Sequence, residues 1–362
     1  MQLMFKNSHI KDCRAIRDEV LNLLFQHDYQ SLPPEGLLSP VFPDTFAPSA
    51  FHGAVLRGAM HPESSPRVGC DWVFRHVDLE KIGFSDIHLS TFRMIVFFET
   101  HQNTNRDKIF RLRTLETFIF ILKKLGLNPI DLYITYFGGG FISGQHFEAD
   151  DEIKSAWIHV GVAAKNIIPV RGSSHFTNVL RSGEPAGPRC EVYWLAGQNQ
   201  PIEIGTVVFE QFILKKNNLR FEPSKGLVCG GAIGLERLNM IVSKKQDVFS
   251  TQELQPLIKQ IEREIHPKLI ALCRNSIRQS ADAVRSLTII SSMVDVSKIG
   301  KRHHARLTRL AKSLRHNIDI LGINDARLFI IKLINQCVLQ EKLDCNSEAL
   351  AEALIRNIIY PV

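Results

Sequence analysis

The chain has 362 residues, 44% hydrophobic and 22% charged, which is typical of a folded globular protein of two or three domains. No apolar run approaches the roughly 18 residues of a membrane span, and the first 20 residues lack a signal peptide's apolar stretch; we therefore expect a cytoplasmic protein with no membrane partner. Seven cysteines, none in a Cys-x-x-Cys pair, argue against a disulfide scaffold or a zinc knuckle. The net charge of +7 only weakly favours a polyanionic partner.

The N-terminal part of the chain predicts a helix, an extended segment and two strands. Apolar residues from Ile16 to Leu24 have helical spacing and predict a helix within the first 30 residues. Prolines throughout residues 31–51 rule out a continuous helix there. Two later runs, DWVFRHVDL and STFRMIVFFET, are short and rich in β-branched and aromatic residues, so they predict paired antiparallel strands.

The rest of the chain changes character near residue 250. Before it, the predicted elements are a helix over residues 107–125, a strand LYITYF, a flexible loop GGGFISG, a helix over residues 150–160, strands in CEVYWLAG and EIGTVVFEQFIL, and a strand, glycine turn and helix in LVCGGAIGLERLNMIV. Beyond it only helical periodicity remains. We predict an α+β domain with a mostly antiparallel sheet over residues 1–249 and an all-helical domain over residues 250–362.

The first candidate motif runs from Phe74 to Phe92. An arginine near the end of one strand and a His-x-x-x-Phe pattern on the next suit ATP binding. Arg75 can bind the α-phosphate through charge-assisted hydrogen bonds, His88 can reach the outer phosphates, and Phe92 can stack on adenine. The alternative is a hairpin whose exposed arginine and histidine have no function.

The second candidate motif is GGAIGLER, from Gly230 to Arg237. Its glycines would let the backbone approach a ligand closely, and Arg237 falls in the first turn of the following helix, where anions are favoured. No Gly-Lys-Ser/Thr follows, so the segment is not a P-loop. Alone, it could equally be an ordinary turn that leads into a helix.

Together the two motifs resemble those of class II aminoacyl-tRNA synthetases, in the same order and on the same kind of sheet. More narrowly, the chain resembles the catalytic core of alanyl-tRNA synthetases from about Ile16 to Gly322. The segments that carry this resemblance are LLSPVFPDTFAPSA, RHVDLEKIGFSDIHLSTFRM, EADDEIKSAWIHVG, HFTNVLRSGEPAGPRCEV, EIGTVVFEQF, GGAIGLER, SADAVRSLTIISSMVDV and RLTRLAKSLRHNIDILG. The resemblance stops before the family's editing and oligomerisation regions.

The resemblance implies ATP and Mg²⁺ as cofactors, an amino acid as substrate and pairing of two chains through the first motif. Arg75 and Arg237 would be catalytic. The implied ATP-binding residues are Arg75, His88, Phe92, Met94, Gly234 and Arg237; the implied amino-acid pocket is Trp157, His175, Thr206, Val208, Gly230 and Ala232; and the implied metal ligands are Glu191 and Glu203.

Several positions depart from the family pattern. Gly230 stands where the family has an aspartate that holds the substrate's amino group, and Thr206 and His175 stand where it has asparagines. Arg93 replaces an acid. Because an ammonium group needs a compensating charge in a dry pocket, either another acid takes over, with Glu210 and Asp150 as candidates, or the substrate is not alanine.

The acyl acceptor is the least constrained part of the prediction. Residues 301–316 hold six Lys and Arg and no acid, and a helix there would offer a basic face to a phosphate backbone, although it could also be an ordinary solvated face. The predicted tRNA-binding residues are Arg285, Lys301, Arg302, Arg306, Arg309 and Arg315. Three hypotheses stay open: a ligase that charges tRNA, an adenylating ligase with a thiol or amine acceptor, and a catalytically silent tRNA-binding paralogue.

Overall fold

The computed structural model describes residues 12–32, 36–38, 46, 50–62, 66–102, 107–179, 182–195, 200–215 and 220–360. The α-helices in these ranges are α1 (Cys13–Phe25), α2 (Ala50–Met60), α3 (Asp107–Lys124), α4 (Asp151–His159), α5 (Leu235–Val242), α6 (Gln255–Glu264), α7 (Arg274–Met293), α8 (Lys301–Leu321), α9 (Ala326–Glu341) and α10 (Ser347–Leu354). The strands are β1 (Gln30–Ser31), β2 (Arg67–Phe74), β3 (Thr91–Gln102), β4 (Leu132–Phe137), β5 (Gly140–Ile142), β6 (Gln145–Phe147), β7 (Ile167–Val170), β8 (Pro185–Ala186), β9 (Arg189–Trp194), β10 (Ile202–Leu214) and β11 (Phe221–Gly234). Most of the predicted extended segment lies outside the described residues.

One large sheet organises the fold. Its strands lie in the order β1, β2, β3, β11, β10, β9, β4 and β7, with β8 paired to β10. The β1–β2 and β4–β7 pairs are parallel, and the other pairs in this sheet are antiparallel. The predicted α+β fold with a mostly antiparallel sheet is confirmed.

Strand β3 shows how the sheet separates a core face from an open face. Side chains alternate across a strand, so Ile95 and Phe97 point to one face while Phe92 and Met94 point to the other. Ile95 and Phe97 are fully buried, and the Phe97 ring lies 6.3 Å from Phe118 of α3. Phe92 and Met94 are only half-buried, which leaves their face available for a ligand.

The glycines of the GGAIGLER motif lie mainly within strand β11, not in a turn as predicted. A Cβ atom added to Gly231 would lie 2.6 Å from the ring of Phe97, and one added to Gly205 on the neighbouring strand would lie 2.3 Å from the carbonyl oxygen of Ala232. These two positions are therefore restricted to glycine by close packing inside the sheet, and not by contact with a ligand.

Two further predicted segments differ from their sequence pattern. The run DWVFRHVDL leaves the sheet at Phe74 and continues as a 3-10 helix over His76–Lys81. The carboxylate of Asp78 in that turn accepts hydrogen bonds from Arg75 and Lys81, both at 2.9 Å, and so stabilises it. The predicted loop GGGFISG contains β5, which pairs with β6 as a short hairpin.

The helical region packs directly on the sheet domain. The described strands all precede residue 235, and the described residues beyond 250 form helices and turns. Contacts nevertheless cross the predicted boundary: the Cys13 amide donates to Glu253 at 2.5 Å, and the Ser90 amide donates to Asp282 at 2.9 Å. The division at residues 249 and 250 stays a prediction. Among the described residues, no helix is both long and apolar enough to cross a bilayer.

Candidate active site

A cavity of about 380 Å³ opens on the face of the sheet formed by β3, β11, β10 and β9. Cavities of several hundred Å³ are of the size that holds a cofactor or drug-sized ligand. The predicted site residues that line it are Arg75, Phe92, Met94, His175, Glu191, Glu203, Thr206, Ala232, Gly234 and Arg237. The fold thus brings together the arginine of the first motif and that of the glycine motif, which are separated by more than 150 residues of sequence.

The two predicted catalytic arginines reach the cavity from different elements. Arg75 follows β2 and is held by the carboxylate of Asp78. Arg237 lies in the first turn of α5, where its Nε donates to the carbonyl oxygen of Ile87 at 3.0 Å and its Nη1 lies 3.2 Å from Glu203 Oε2. Their side chains stay 47% and 21% exposed, respectively. Two anchored guanidinium groups that remain accessible suit a ligand with several anionic oxygens.

An apolar surface lies beside the arginines. Phe92 and Met94 belong to β3, and Met94 is paired with Gly234 on the neighbouring strand β11. A Cβ atom added to Gly234 would lie 4.0 Å from the ring of Phe92, so the glycine lies next to this half-buried ring without crowding it. An aromatic ring at a cavity wall with a flexible thioether beside it can hold a flat heteroaromatic ring.

The two predicted metal ligands, Glu191 and Glu203, line the same cavity. Glu191 on β9 lies 3.1 Å from the guanidinium of Arg189, and Glu203 on β10 lies near Arg237. Burial raises the pKa of Glu191, against the attraction of Arg189. The described residues contain no cluster of three or more His, Cys, Asp or Glu that could hold a metal by themselves. A hard cation here would therefore share its ligands between these carboxylates, water and a bound phosphate, as Mg²⁺ commonly does.

Two residues of the predicted amino-acid pocket line the cavity with polar side chains that carry no charge at neutral pH, His175 and Thr206. His175 is 7% exposed, and its Nε2 lies 2.7 Å from Thr135 Oγ1. Burial, with a smaller effect from Arg189, lowers the pKa of His175 to about 4, so the ring is neutral at neutral pH. The Thr206 hydroxyl donates to the carbonyl oxygen of Cys190 at 2.9 Å. Hydroxyl and imidazole groups can therefore hydrogen-bond a substrate here without adding charge.

Four predicted site residues do not line the cavity, and two of them belong to other environments. Nδ1 of His88 lies 2.7 Å from Ser85 Oγ, and burial together with the nearby charge of Arg237 lowers the pKa of His88. Trp157 is fully buried, with its ring centroid 6.4 Å from that of Phe118 on the core face of the sheet. Trp157 is therefore out of reach of a ligand in the cavity, whereas the half-buried His88 lies near Arg237, and its contact with the outer phosphates stays a prediction.

The other two are Val208 and Gly230, which pair with each other between β10 and β11. A Cβ atom added to Gly230 would lie 2.9 Å from both the Phe97 carbonyl oxygen and the Phe98 Cβ. Phe98 is itself buried in an apolar cluster with residues of α2. The position of the family's aspartate is thus closed by hydrophobic packing and has no room for a side chain.

Neither acid that was considered as a replacement lines the cavity. Asp150 accepts two hydrogen bonds from Arg111 Nη1, at 3.0 and 2.9 Å. Glu210 is 7% exposed, with Oε1 lying 3.5 Å from Asn178 Nδ2, and burial raises its pKa to about 7. The acids that do line the cavity are Glu191, Glu203 and Glu236.

The predicted tRNA-binding residues separate into one buried arginine and a surface helix. Arg285 is fully buried and pairs with Glu236 at 2.8 Å and Glu341 at 2.7 Å. This corrects the prediction that Arg285 contacts tRNA, because a compensated internal charge is not presented to a nucleic acid. The remaining predicted residues all lie on α8: Lys301, Arg302 and Arg309 are exposed, and Arg306 and Arg315 are half-buried.

Sequence reasoning missed Arg189 and Tyr193, which line the cavity on either side of Glu191. A signal was present, because the three residues alternate with the buried Cys190 and Val192 in strand β9. A polar residue at every second position of a strand indicates one polar face. Only the pairing of β9 with β10 shows that this face is the one that holds the cavity.

Comparison with known proteins gives similarities to aminoacyl-tRNA synthetases. A comparison with models of protein families gives no match. Among solved structures, the chain is similar to the pyrrolysyl-tRNA synthetase PylSc of Desulfitobacterium hafniense, with 13% identity over 68% of this chain and 74% of that one and a TM-score of 0.39. It is also similar to S. aureus histidyl-tRNA synthetase, with 11% identity over 64% and 66% of the two chains and a TM-score of 0.40.

Curated sequences define the relatives more narrowly as alanine–tRNA ligases. The Candida albicans enzyme is 30% identical over 240 residues, which are 62% of this chain and 23% of the relative. The Bifidobacterium longum enzyme is 26% identical over 333 residues, 86% of this chain and 36% of the relative. The chain is thus similar to alanine–tRNA ligases and spans about a quarter to a third of the length of these two. The resemblance predicted from the motifs is confirmed.

Proposed function

We propose that this chain uses ATP to activate an amino acid as an aminoacyl adenylate and transfers the acyl group to the 3′ end of a tRNA. The observation that carries the proposal is the single cavity in which Arg75, Phe92 and Arg237 meet. These are one aromatic ring and two accessible guanidiniums, the groups that a nucleoside triphosphate requires. Similarity to alanine–tRNA ligases supports the same reaction class.

Positioning and charge neutralisation would supply the catalysis. In the proposed pose, adenine stacks on Phe92 and the two arginines bind the phosphates, with Arg75 on the α-phosphate. A carboxylate oxygen of the amino acid attacks the α-phosphorus of ATP. The bond between the α-phosphorus and the oxygen shared with the β-phosphate breaks, and pyrophosphate leaves. Fixed guanidiniums stabilise the charge that develops on the phosphoryl oxygens and the leaving group, without reorganisation during the step.

The carboxylates of Glu191 and Glu203 fit a hard cation such as Mg²⁺. Both offer oxygen donors to the cavity, and each has an arginine partner that could move to a phosphate when ATP binds. Bound Mg²⁺ would neutralise negative charge on the triphosphate. Because protein ligands alone are few, we propose that the metal site is completed by the nucleotide.

The proposed acceptor is tRNA because α8 carries an exposed basic face. Leu307, Leu310 and Leu314 of this helix are buried, and Lys301 and Arg309 on the other side are exposed. Such a face suits a phosphate backbone. The closed position at Gly230 favours a second candidate, an adenylating ligase whose substrate and acceptor differ from those of the alanine enzymes.

ATP–pyrophosphate exchange with purified protein and Mg²⁺ tests the proposal across the common amino acids and their 2-hydroxy analogues. Exchange that depends on one acid establishes adenylation and identifies the substrate. Acylation of total tRNA with that acid then distinguishes the two candidates. Absence of exchange with every acid, together with absence of ATP binding in calorimetry, contradicts both and favours a silent paralogue.

A further inference from the structure

Four ionisable side chains form a buried network next to the cavity. They are Arg93 of β3, Glu236 of α5, Arg285 of α7 and Glu341 of α9, and none is more than 7% exposed. Glu236 also lines the cavity, so the network forms part of its wall. Two of the four residues come from the helical region that the sequence assigned to tRNA recognition.

The contacts in the network form a continuous path. The Arg93 side chain donates to Glu341 Oε2 at 2.8 Å, and Arg285 Nε donates to Glu341 Oε1 at 2.7 Å. Arg285 Nη2 donates to Glu236 Oε1 at 2.8 Å, and the Arg93 backbone amide donates to Glu236 Oε2 at 2.8 Å. All four carboxylate oxygens therefore accept a hydrogen bond from one of the two arginines.

Charge is balanced within the network, because two arginines face two glutamates. Burial opposes ionisation of Glu341, but the charges of Arg285 and Arg93 outweigh it and lower the pKa of that carboxyl. Trp72 of β2 lies against both guanidiniums, whose central carbons are 3.9 Å (Arg93) and 5.0 Å (Arg285) from its ring centroid. Removing one charge from such a group leaves an uncompensated buried ion, which is strongly unfavourable.

The network holds the backbone on both sides of the proposed ATP site. Arg93 directly follows Phe92, and Glu236 directly precedes Arg237. The hydrogen bond from the Arg93 amide to Glu236 ties strand β3 to helix α5 between these two ligand-binding positions. Arg285 Nη1 also donates to the Thr91 carbonyl oxygen at 2.7 Å, on the other side of Phe92.

We infer that Arg285 and Glu341 are positioning residues for the ATP site, acting through Arg93 and Glu236 on the placement of Phe92 and Arg237. The inference rests on the proposed function, because the ligand is the ATP of that proposal. It makes the helical region a part of the adenylation site as well as a candidate tRNA surface. It also gives Arg93, which replaces an acid of the family pattern, a partner in α9.

The test compares Glu341→Gln with the double variant Arg93→Gln/Glu341→Gln in the full chain. The single variant leaves one net positive charge in the network, whereas the double variant is again neutral. Calorimetric titration with ATP and Mg²⁺ should give a Kd raised by at least about tenfold for Glu341→Gln, because small displacements of binding groups are costly. The double variant should recover to within about threefold of the wild type, since the remaining Arg285–Glu236 pair is compensated.

Tryptophan emission reports on the network without any ligand. Glu341→Gln should shift the emission relative to that of the wild type, and the shift should vanish in a Trp72→Phe background, because both arginines of the network lie against the Trp72 ring. Glu352→Gln, which breaks an exposed pair with Arg327 in the same helical region, is the matched control and should change neither readout. Arg285→Lys keeps the charge but cannot make all three of its hydrogen bonds, and serves as a second variant if Glu341→Gln does not fold.

Two results would overturn the inference while the proposed function stands. The first is wild-type affinity for ATP in folded Glu341→Gln, or in Arg285→Lys if that is the variant measured. The second is a double variant whose ATP affinity is as impaired as that of the single variant. Failure of the wild type itself to bind ATP overturns the proposed function and the inference together. The wild-type titration is therefore performed first.

Discussion

The buried side chain of Glu210 does not have the substrate-binding role that the sequence suggested for it. It was a candidate for holding a substrate amino group, and the structure buries it against Asn178, outside the cavity. Burial raises its pKa from 4.5 to about 7. The unfolded chain therefore loses this proton at a lower pH than the folded chain does, and raising the pH from about 4.5 to 7 favours unfolding.

Replacing Glu210 with Gln removes this pH dependence. The variant should gain stability relative to the wild type as the pH rises from 5 to 8, by an amount on the order of 3 kcal/mol for a shift of this size. Urea unfolding at both pH values measures the difference. Glu116→Gln, at an exposed position of α3, is the control. If the free energies of unfolding of Glu210→Gln and the wild type differ by the same amount at pH 5 and at pH 8, the expected protonation of this carboxyl is contradicted.

Helix α8 is the element on which tRNA binding can be tested apart from ATP binding. Lys301, Arg309 and Lys312 are exposed on it. Changing all three to Glu should weaken tRNA binding and reduce the slope of log Kd against log salt by about two to three, because each phosphate contact releases counterions. ATP affinity should stay at the wild-type value.

The control variant reverses the charge of three residues in and just after α6. Lys259, Arg263 and Lys268 are also exposed, so reversing them produces the same change in net charge elsewhere on the molecule. Filter binding with total tRNA over a range of salt concentrations compares the two variants. Equal weakening in both would show that net charge, and not the α8 face, attracts the nucleic acid.

For the individual elements, the sequence predicted whether a segment forms a helix or a strand better than it predicted which residues pack around it. Short runs rich in β-branched and aromatic residues predicted β3 and β4, and helical patterns predicted α3 and α4, each within a few residues of the observed bounds. These signals are local. The environment of Arg285 depends on Glu341, 56 residues later in the chain, and no spacing rule connects the two. The same is true of Trp157, whose burial depends on how α4 packs against α3.

For the whole molecule, the dependence of the sheet on the helical region is the main consequence of the structure. The Ser90 amide donates to Asp282, and the Thr91 carbonyl oxygen and the Glu236 carboxylate accept from Arg285, all across the predicted domain boundary. Residues 1–249 alone would leave these groups and the apolar surface beneath them without partners. We expect this fragment to lack a cooperative unfolding transition, because buried polar groups without partners are costly.

Thermal unfolding followed by circular dichroism tests this expectation on the fragment and the full chain. A cooperative transition of the fragment near the midpoint of the full chain would contradict it and would support the domain division predicted from sequence. The composition change near residue 250 marks where the strands end, so it indicates a change of secondary structure. Independence of folding depends on contacts, which composition does not report.

The proposed ATP-binding half of the site was more predictable than the rest because its residues stand in motifs of fixed spacing. Arg75, Phe92, Gly234 and Arg237 were identified in this way and meet in the cavity. The acyl half was less predictable. Its groups come from single positions on β9, β10 and the turn at His175, and their relation depends on strand register, which a single sequence does not contain.

The most direct test of the account is ATP–pyrophosphate exchange by the wild type, Arg75→Ala and Arg237→Ala, with the acid that supports exchange in the panel. Both variants should lose at least about 100-fold in kcat/KM, because each removes a fixed charge from the transferring phosphoryl group. Arg327→Ala, which removes an exposed arginine paired with Glu352, should match the wild type. Wild-type exchange by either cavity variant would contradict the assignment of this cavity as the site of adenylation.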